Sequence, residues 1–600
     1  MARKRTFSNR GGGASGTRRP RLSYGELEQR RRESESRSSA RKPPPREMSA
    51  ADPRGGAGTK RTGAHRVGEK RAPGRRPGKG PTGLHVAVGV ICVLVILIPL
   101  WLFIFVLPSP IGGLTPSSGA CVKNGTVKVQ ATISKSFDPQ KVTLKVDGKD
   151  VGTSLQADKK SVSASLPLTD GKHNASIVLA SGGLMGKRAA TWAFTVDSTA
   201  PKLNLTKKTI KDIKGSAQAV TVDLAGTVDK DATVTVEDKS VPVGKNGVFA
   251  YATTSTRVKS LKVAAKDPAG NEATDYVITQ KAPLAKGVHV SIFIAGSDND
   301  LTKMIALTER TELNALEVDL KDEAGMIGFN LDYPLAKQAK ATTNYIDLES
   351  VVDQMRFKNI YAICRIVSFK DPKLAKTRPD LTVQDKSTGR PWGTGAWLDP
   401  YSREVWDYDL AAAEAAARAG FNEIQFDYCR FPSDGNTSTC KYPHQDARPP
   451  AQVIDDFLSY ARTRLSPYNA FISADLFGLT ASAQGDMNIG QRVADLANRI
   501  DFISPMVYPS HYNLGEYNIK VPEANPNDIV TKSLEDFKKK IAGKPAKLRP
   551  WLQDFSLKIR YSPDMVRAQI DACEKLGIHQ WLLWDPDCTY SEAALETQKK

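Results

Sequence analysis

The stretch Gly420-Phe421-Asn422-Glu423-Ile424-Gln425-Phe426-Asp427-Tyr428-Cys429-Arg430-Phe431-Pro432 decides the fold. Ile424 and Phe426 share one parity of an extended chain, and Glu423, Gln425 and Asp427 share the other. Side chains of a strand alternate between its two faces, so this strand has an apolar back and a polar, acidic front. Just upstream, Glu404–Ala419 has helical periodicity and stops at Gly420, the residue type that closes a helix in the left-handed conformation. A helix, a glycine stop and a short strand with an apolar back make one step of a parallel sheet covered by helices.

The same step repeats from Gly287 onward. Strand-like apolar runs fall near 287–295, 313–320, 359–367, 421–428, 470–476, 501–508, 547–553 and 578–584, with helical patterns between most of them. Eight such units within 283–600 predict an α/β fold, a (β/α)8 TIM barrel with loop insertions. The longest insertion, about 368–402, follows the third strand and carries Trp392 and Trp397 on the side where such barrels place their sites.

Parity then sorts the barrel residues. In the second strand Leu316 and Val318 face the helices, while Glu317 and Asp319 face inward. The fifth strand turns Ile472 and Ala474 out and Ser473 and Asp475 in; the sixth turns Ile503 and Val507 out and Ser504 and Tyr508 in. Arg365 of the third strand and Gln553 of the seventh also point inward. A barrel interior is normally an apolar core, and a buried charge is costly unless paired. Polar residues placed late on the inward parity therefore predict a solvated, reactive mouth, with Trp551 and Trp584 beside it. Carboxylates do acid, base or nucleophile work, and flat aromatic faces stack on sugar rings, so the pattern points to sugar chemistry.

Asp427 is the leading catalytic candidate; its purely structural role would be to pair with Arg430 or cap the next loop. As a nucleophile it needs to be ionised, which Arg430 or Arg365 would support. Asp475 is the leading second carboxylate. Glu317 and Asp319 are rivals for the proton donor, unless one of them is a structural partner of Arg365. Arg365, Gln425, Arg430, Tyr508, Gln553, Trp584 and Trp392 complete the expected substrate-binding set. His511 reads as a loop histidine, and Trp581 and Trp584 read equally as barrel packing or as a subsite floor. A carboxyl separation of about 5–5.5 Å would mean retention of configuration and about 6.5–9.5 Å inversion; the residues leave that choice open.

The strand-4 stretch quoted above resembles the signature of a bacterial glycosyl-hydrolase family of TIM-barrel proteins. Further matching segments are Lys286-Gly287-Val288-His289-Val290, Arg310-Thr311-Glu312-Leu313-Asn314-Ala315, Ser473-Ala474-Asp475-Leu476-Phe477-Gly478 and Pro505-Met506-Val507-Tyr508-Pro509-Ser510-His511-Tyr512. They span roughly 286–588. The resemblance implies glycoside hydrolysis, with a bacterial envelope or exopolysaccharide glycan as substrate. It departs at Cys429, where an aliphatic residue is expected; a local disulfide would account for the change.

The N-terminal half reads differently. Leu84–Leu107 holds no Asp, Glu, Lys or Arg, and 24 residues of helix span roughly 36 Å, enough for a ~30 Å hydrocarbon core. Residues 1–83 carry 23 Lys and Arg against 7 Asp and Glu, while the remainder carries 62 against 58. The basicity of the chain, net +20, therefore belongs to its tail. A tail of that length and a run of that extent do not fit a cleaved signal peptide. A signal anchor is expected, a transmembrane helix at 84–107 with the basic side in the cytosol and all later domains outside. The tail 1–83, rich in Arg, Gly, Ser and Pro, is expected to be disordered. It either serves only topology or meets anionic lipid headgroups or a cytosolic partner; nucleic acid is not an expected partner.

Residues 108–119 read as a linker. From 120 to 282, short alternating runs such as Thr126–Gln130 and Val142–Val146, punctuated by Asp147-Gly148 and Asp170-Gly171, predict two all-β sandwiches, at 120–197 and 198–282. The run Leu261–Asn271 resembles the closing strands of bacterial Ig-like modules, which implies spacers or weak carbohydrate binders. Of the 7 cysteines, Cys429 with Cys440, and less strongly Cys573 with Cys588, are candidates to pair outside the cell. No Cys-x-x-Cys or His-Glu-x-x-His spacing occurs, so neither a metal nor a cofactor is expected. The competing function is a non-catalytic surface glycan binder built on a degenerate barrel.

Overall fold

The computed structural model describes residues 111–598, apart from 124, 134–140, 153, 156–159, 181–187, 217, 230 and 434. The expected basic tail and the expected membrane span at 84–107 lie outside the described residues. Among the described residues no helix is long and apolar enough to cross a membrane.

Two β units precede the barrel. In the first, the strand Gly125–Ile133 buries Val127, Val129, Ala131 and Ile133 and exposes most of the residues between them, as the period-two pattern requires. It belongs to a sheet that shares one core with a second sheet containing Val142–Val146, Gly171–Leu179 and Arg188–Asp197. Asp147 and Gly148 both have positive φ, the geometry of a tight hairpin turn. One boundary moves: Ile111–Thr115, expected within a linker, is a strand paired antiparallel with Gly125–Ile133. Buried Ile111 outweighs the glycines and proline around it. The second unit again has two sheets around one core, including Val222, Val234, Phe249 and Val263.

The rest is a closed barrel. Its strands are β1 (Lys286–Val290), β2 (Ala315–Lys321), β3 (Tyr361–Val367), β4 (Glu423–Asp427), β5 (Phe471–Phe477), β6 (Phe502–Met506), β7 (Trp551–Gln553) and β8 (Trp581–Trp584). All pair in parallel in the order β5-β4-β3-β2-β1-β8-β7-β6, and a β5–β6 pairing closes the ring. Every strand lies within or beside its expected run. The covering helices are α1 (Asp298–Arg310), α2 (Leu348–Phe357), α3 (Arg403–Ala419), α4 (Pro450–Leu465), α5 (Pro526–Lys540) and α6 (Pro563–Lys575). Between β5 and β6 the helix shrinks to Val493–Leu496. Helix α3 ends at Gly420 with φ 105°, where a Cβ would also meet the Arg356 guanidinium.

The outward parity packs on the helices as expected: Ile424 and Phe426 join Leu316, Val318 and Ile472 in the large core. The inward parity carries charged residues at both ends of the barrel, with an apolar layer that includes Ile363, Trp551 and Leu582. Near the strand N-termini, Arg549 Nη1 donates to both Glu423 oxygens at 2.7 and 2.8 Å, and the Tyr361 hydroxyl donates to Glu423 Oε2 at 3.0 Å. Both charged side chains are fully buried.

The second β unit docks on that same N-terminal end. Asn469, just before β5, accepts from Thr279 N at 2.8 Å and donates to Arg257 O at 2.8 Å. Gln280 Nε2 donates to Asn422 O, just before β4, at 2.6 Å. The cysteine pairings are absent: Cys429, Cys440, Cys573 and Cys588 are all free.

Arg549→Leu leaves Glu423 without its buried cation, held only by the Tyr361 hydroxyl, and is expected to cost about 3–5 kcal/mol. The double variant Arg549→Leu/Glu423→Leu is expected to regain most of that loss. Chemical denaturation of the two proteins side by side checks both statements.

Candidate active site

The C-terminal ends of the strands surround a cavity of about 390 Å³. Six of the expected residues line it: Arg365, Asp427, Arg430, Asp475, Tyr508 and Trp584. They arrive there by register. Gln425 and Phe426 of β4 pair with Ser473 and Ala474 of β5, so Asp427 and Asp475 are the next residues along two neighbouring strands. Arg365 lies beside Gln425 on the other flank of β4.

Arg365 organises the mouth. Its Nη2 and Nε donate to Asp427 Oδ2 at 2.6 and 3.1 Å, and its Nη1 donates to Asp319 Oδ1 at 2.6 Å. Glu323 sits 3.8 Å from the same guanidinium. The ring of Trp584 covers the group, 4.9 Å away. Asp427 Oδ1 accepts from Tyr428 N at 2.6 Å, and Tyr428 itself holds φ 49°. A tyrosine in the left-handed region is strained, and such strain collects at functional sites. Arg430 does not pair with Asp427. It lies over the rings of Phe477, Trp397 and Tyr428 and donates to Ser433 Oγ.

Asp475 has the opposite surroundings. Its Oδ1 accepts from Gln425 Nε2 at 2.6 Å and from Trp551 Nε1 at 2.7 Å. Among the described residues no cation forms an ion pair with it. Burial, then the nearby charge of Asp427, pushes its carboxyl well above the usual range. Burial likewise holds the Tyr508 phenol protonated, so it stands at the cavity as a hydrogen-bond donor.

The remaining expected residues fall elsewhere. Gln425 sits one layer down as a support for Asp475. Gln553 is buried and accepts from Ser510 N, holding the loop after β6. Trp392 is a correction: it is buried within the insertion, donates to Thr439 Oγ1 at 2.9 Å and does not line the cavity. The insertion folds over itself and pairs with Cys440–Lys441, which turns that ring away from the mouth. Glu317 and Asp319 lie beneath the cavity, not in it. Asp319 Oδ2 contacts His289 Nε2 at 2.8 Å. Burial alone would raise Asp319, but Arg365 and then His289 hold it down at about 2. For Glu317, burial outweighs the pull of His289 and lifts it to about 8. The mouth is thus less solvated than the parity suggested, because its charges pair with one another. His289, Glu317 and Asp319 bring their ligand atoms within 4.8 Å of one another, a grouping that can hold a metal ion.

Glu323, Tyr428, Phe477, Leu479, Met506 and Tyr512 also line the cavity, as does Gly478. At Gly478 a Cβ would strike the Tyr512 hydroxyl and the Met506 carbonyl. The acidic pair Asp322-Glu323, directly after β2, was a usable signal for Glu323. His511 lines the cavity too and is more than a loop residue. Burial lowers its pKa, and its Nδ1 lies 3.0 Å from Ser510 Oγ.

A carboxyl held by amide and indole donors and a carboxylate bound to arginine thus share the C-terminal mouth of a parallel eight-stranded barrel. Residues 287–590, just over half of the 600, match the family described as "Putative glycosyl hydrolase domain", and the chain belongs to that family. No curated protein matches the chain. Among solved structures it is similar to a hypothetical protein from Ruminiclostridium thermocellum, at 34% identity over 31% of this chain and 96% of that one, with TM-score 0.29. It is also similar to the PgaB (BpsB) glycoside hydrolase domain from Bordetella bronchiseptica, at 14% identity over 53% and 100%, with TM-score 0.39. A third is the spore cortex-lytic enzyme SleL of Bacillus megaterium, at 11% identity over 54% and 76%, with TM-score 0.32.

Trp584→Ala removes a wall of the cavity and the cover of Arg365, whereas Trp392→Ala touches neither. Glycan affinity, measured by calorimetry, is expected to fall about tenfold or more in Trp584→Ala, as for a lost stacking anchor, and to stay within twofold in Trp392→Ala.

Proposed function

We propose that the chain is a glycoside hydrolase, anchored to a membrane by segment 84–107, that acts outside the cell on an envelope or extracellular polysaccharide. The observation that carries this reading is the pair Asp427 and Asp475. They lie side by side near the C-terminal ends of neighbouring strands, open onto one cavity and sit in different environments. One carboxyl buried without a cation and one bound to arginine can divide the roles of acid and base.

Asp475, kept protonated by burial, donates its proton to the glycosidic oxygen as the bond to the anomeric carbon breaks. Gln425 and Trp551 hold its other oxygen and so aim the acid. Asp427, paired to Arg365, faces the developing positive charge. It attacks the anomeric carbon or takes the proton of an attacking water. Arg365 fixes the direction of Asp427 through two hydrogen bonds to its Oδ2. Tyr508 donates to a sugar oxygen, and Trp584 offers its face to a ring.

The β units at 120–197 and 198–282 read as Ig-like spacers. The second is bonded to the barrel face opposite the mouth. The basic tail reads as cytoplasmic, next to anionic headgroups.

Asp475→Asn is expected to lower kcat by about 10²–10⁴-fold on a natural glycan. It should remain far more active on an aryl glycoside, whose leaving group needs no proton. The alkaline limb of the wild-type pH profile reports loss of the Asp475 proton. Activity is therefore present below that raised pKa and lost above it, and the limb should vanish in Asp475→Asn on the aryl substrate. Asp427→Asn should be inactive on both substrates. Full activity in Asp427→Asn would overturn the assignment. Glycan binding by the wild type with no turnover would replace it with a surface glycan-binding protein.

A further inference from the structure

Below the cavity floor, β1 and β2 bring three donors together: His289 Nε2 and the carboxylates of Glu317 and Asp319. All three side chains are buried. Glu317 is completely inaccessible, and neither of its carboxyl oxygens receives a hydrogen bond. A buried carboxyl without a donor is among the most costly arrangements a core can hold, and it marks a missing partner. Arg365 is not that partner, because its donors are directed to Asp319 and Asp427.

The orientation of His289 points the same way. Its Nδ1 faces the Asp585 carbonyl at 3.4 Å and Cys588 Sγ at 3.8 Å. A metal-bound imidazole typically gives its second nitrogen to a backbone carbonyl and turns the other to the ion. Here the other nitrogen, Nε2, lies 2.8 Å from Asp319 Oδ2. That separation is a hydrogen-bonded ion pair, and the two atoms need part only by a few tenths of an ångström to share one ion at about 2.1 Å from each. Asp319 Oδ1 is held by Arg365, which leaves Oδ2 for the site. Trp584 stacks on His289 at 4.0 Å and seals the group from above.

We propose that His289, Glu317 and Asp319 bind one divalent transition-metal ion, of the zinc or manganese class. One imidazole with two carboxylates suits that class better than a purely oxygen-liganded hard cation. Two charges on the ion and one on Arg365 balance the carboxylates of Glu317, Asp319 and Asp427. None of the three ligands lines the cavity. The ion therefore positions Asp319, and through Arg365 it positions Asp427, without touching substrate.

The full-length chain, stripped with a chelator, is titrated with Zn²⁺ and with Mn²⁺ by calorimetry, and bound metal is counted by elemental analysis. Co²⁺ loading adds a visible-absorption readout of the coordination shell. The expected result is one ion per chain, weakened at least tenfold in both His289→Ala and the near-isosteric Glu317→Gln, with the Co²⁺ spectrum altered in Glu317→Gln. Natively folded protein that takes up no ion at saturable stoichiometry overturns the proposal. So does binding of equal affinity in both variants, which would place the ion elsewhere. These readouts do not depend on hydrolysis, so they stand apart from the test of Asp427 and Asp475.

Discussion

The mouth of this barrel depends on one guanidinium. Strands β2 and β4 flank β3 and both carry inward-facing carboxylates near their C-terminal ends, Asp319 and Asp427. Two such groups in a water-poor mouth repel each other and resist ionisation. Arg365, projecting from β3 between them, binds both at 2.6 Å. The planar fork of arginine is what allows this, since its donors point in fixed, separate directions. Lysine would supply the charge but not the two directed contacts. Trp584 lies over the guanidinium and keeps water from competing for it. Asp475, one strand beyond Arg365's reach, is the carboxyl left to hold its proton.

Much of this was legible because barrel strands obey a strict period of two. Apolar Ile424 and Phe426 fix the outward face of β4, and the inward face of Glu423, Gln425 and Asp427 follows without further information. The same logic placed Arg365, Asp475 and Tyr508 at the mouth. It failed where position depends on loops. Trp392 has no parity to obey, and the fold of its insertion buries it against Thr439. The strand Ile111–Thr115 was hidden because its glycines and the following proline mimic a linker, while its pairing partner lies beyond the intervening loop. The expected disulfide between Cys429 and Cys440 rested on closeness in sequence, which does not set the direction of either Cβ. Pairing among inward charges was also out of reach, since parity says which residues face in but not which of them touch.

The docking of the second β unit bears on the same question of direction. Its contacts use backbone carbonyls and side-chain amides of Asn422 and Asn469, the residues that enter β4 and β5. These strands carry Asp427 and Asp475 at their opposite ends. The unit therefore braces the strands that bear both carboxyls, and its contacts leave the loops of the mouth uncovered.

The barrel axis holds two separate ionic tiers: Glu423 with Arg549 near the strand N-termini, and Asp319 with Arg365 and Asp427 at the mouth. Replacing such pairs with apolar residues of matching volume is often neutral for stability or better, so the lower tier is not explained by stability alone. The upper tier has a clearer reason. Electrostatic groups act in catalysis by being fixed before charge develops, in a site where water cannot dilute them. Fixing a carboxylate there requires a buried cation; a buried cation requires a second carboxylate; and that carboxylate, Asp319, draws His289 and Glu317 into the layer beneath. The polar floor is thus a consequence of holding Asp427 still. Its least satisfied member, Glu317, lies at the point where that chain of requirements runs out of protein partners.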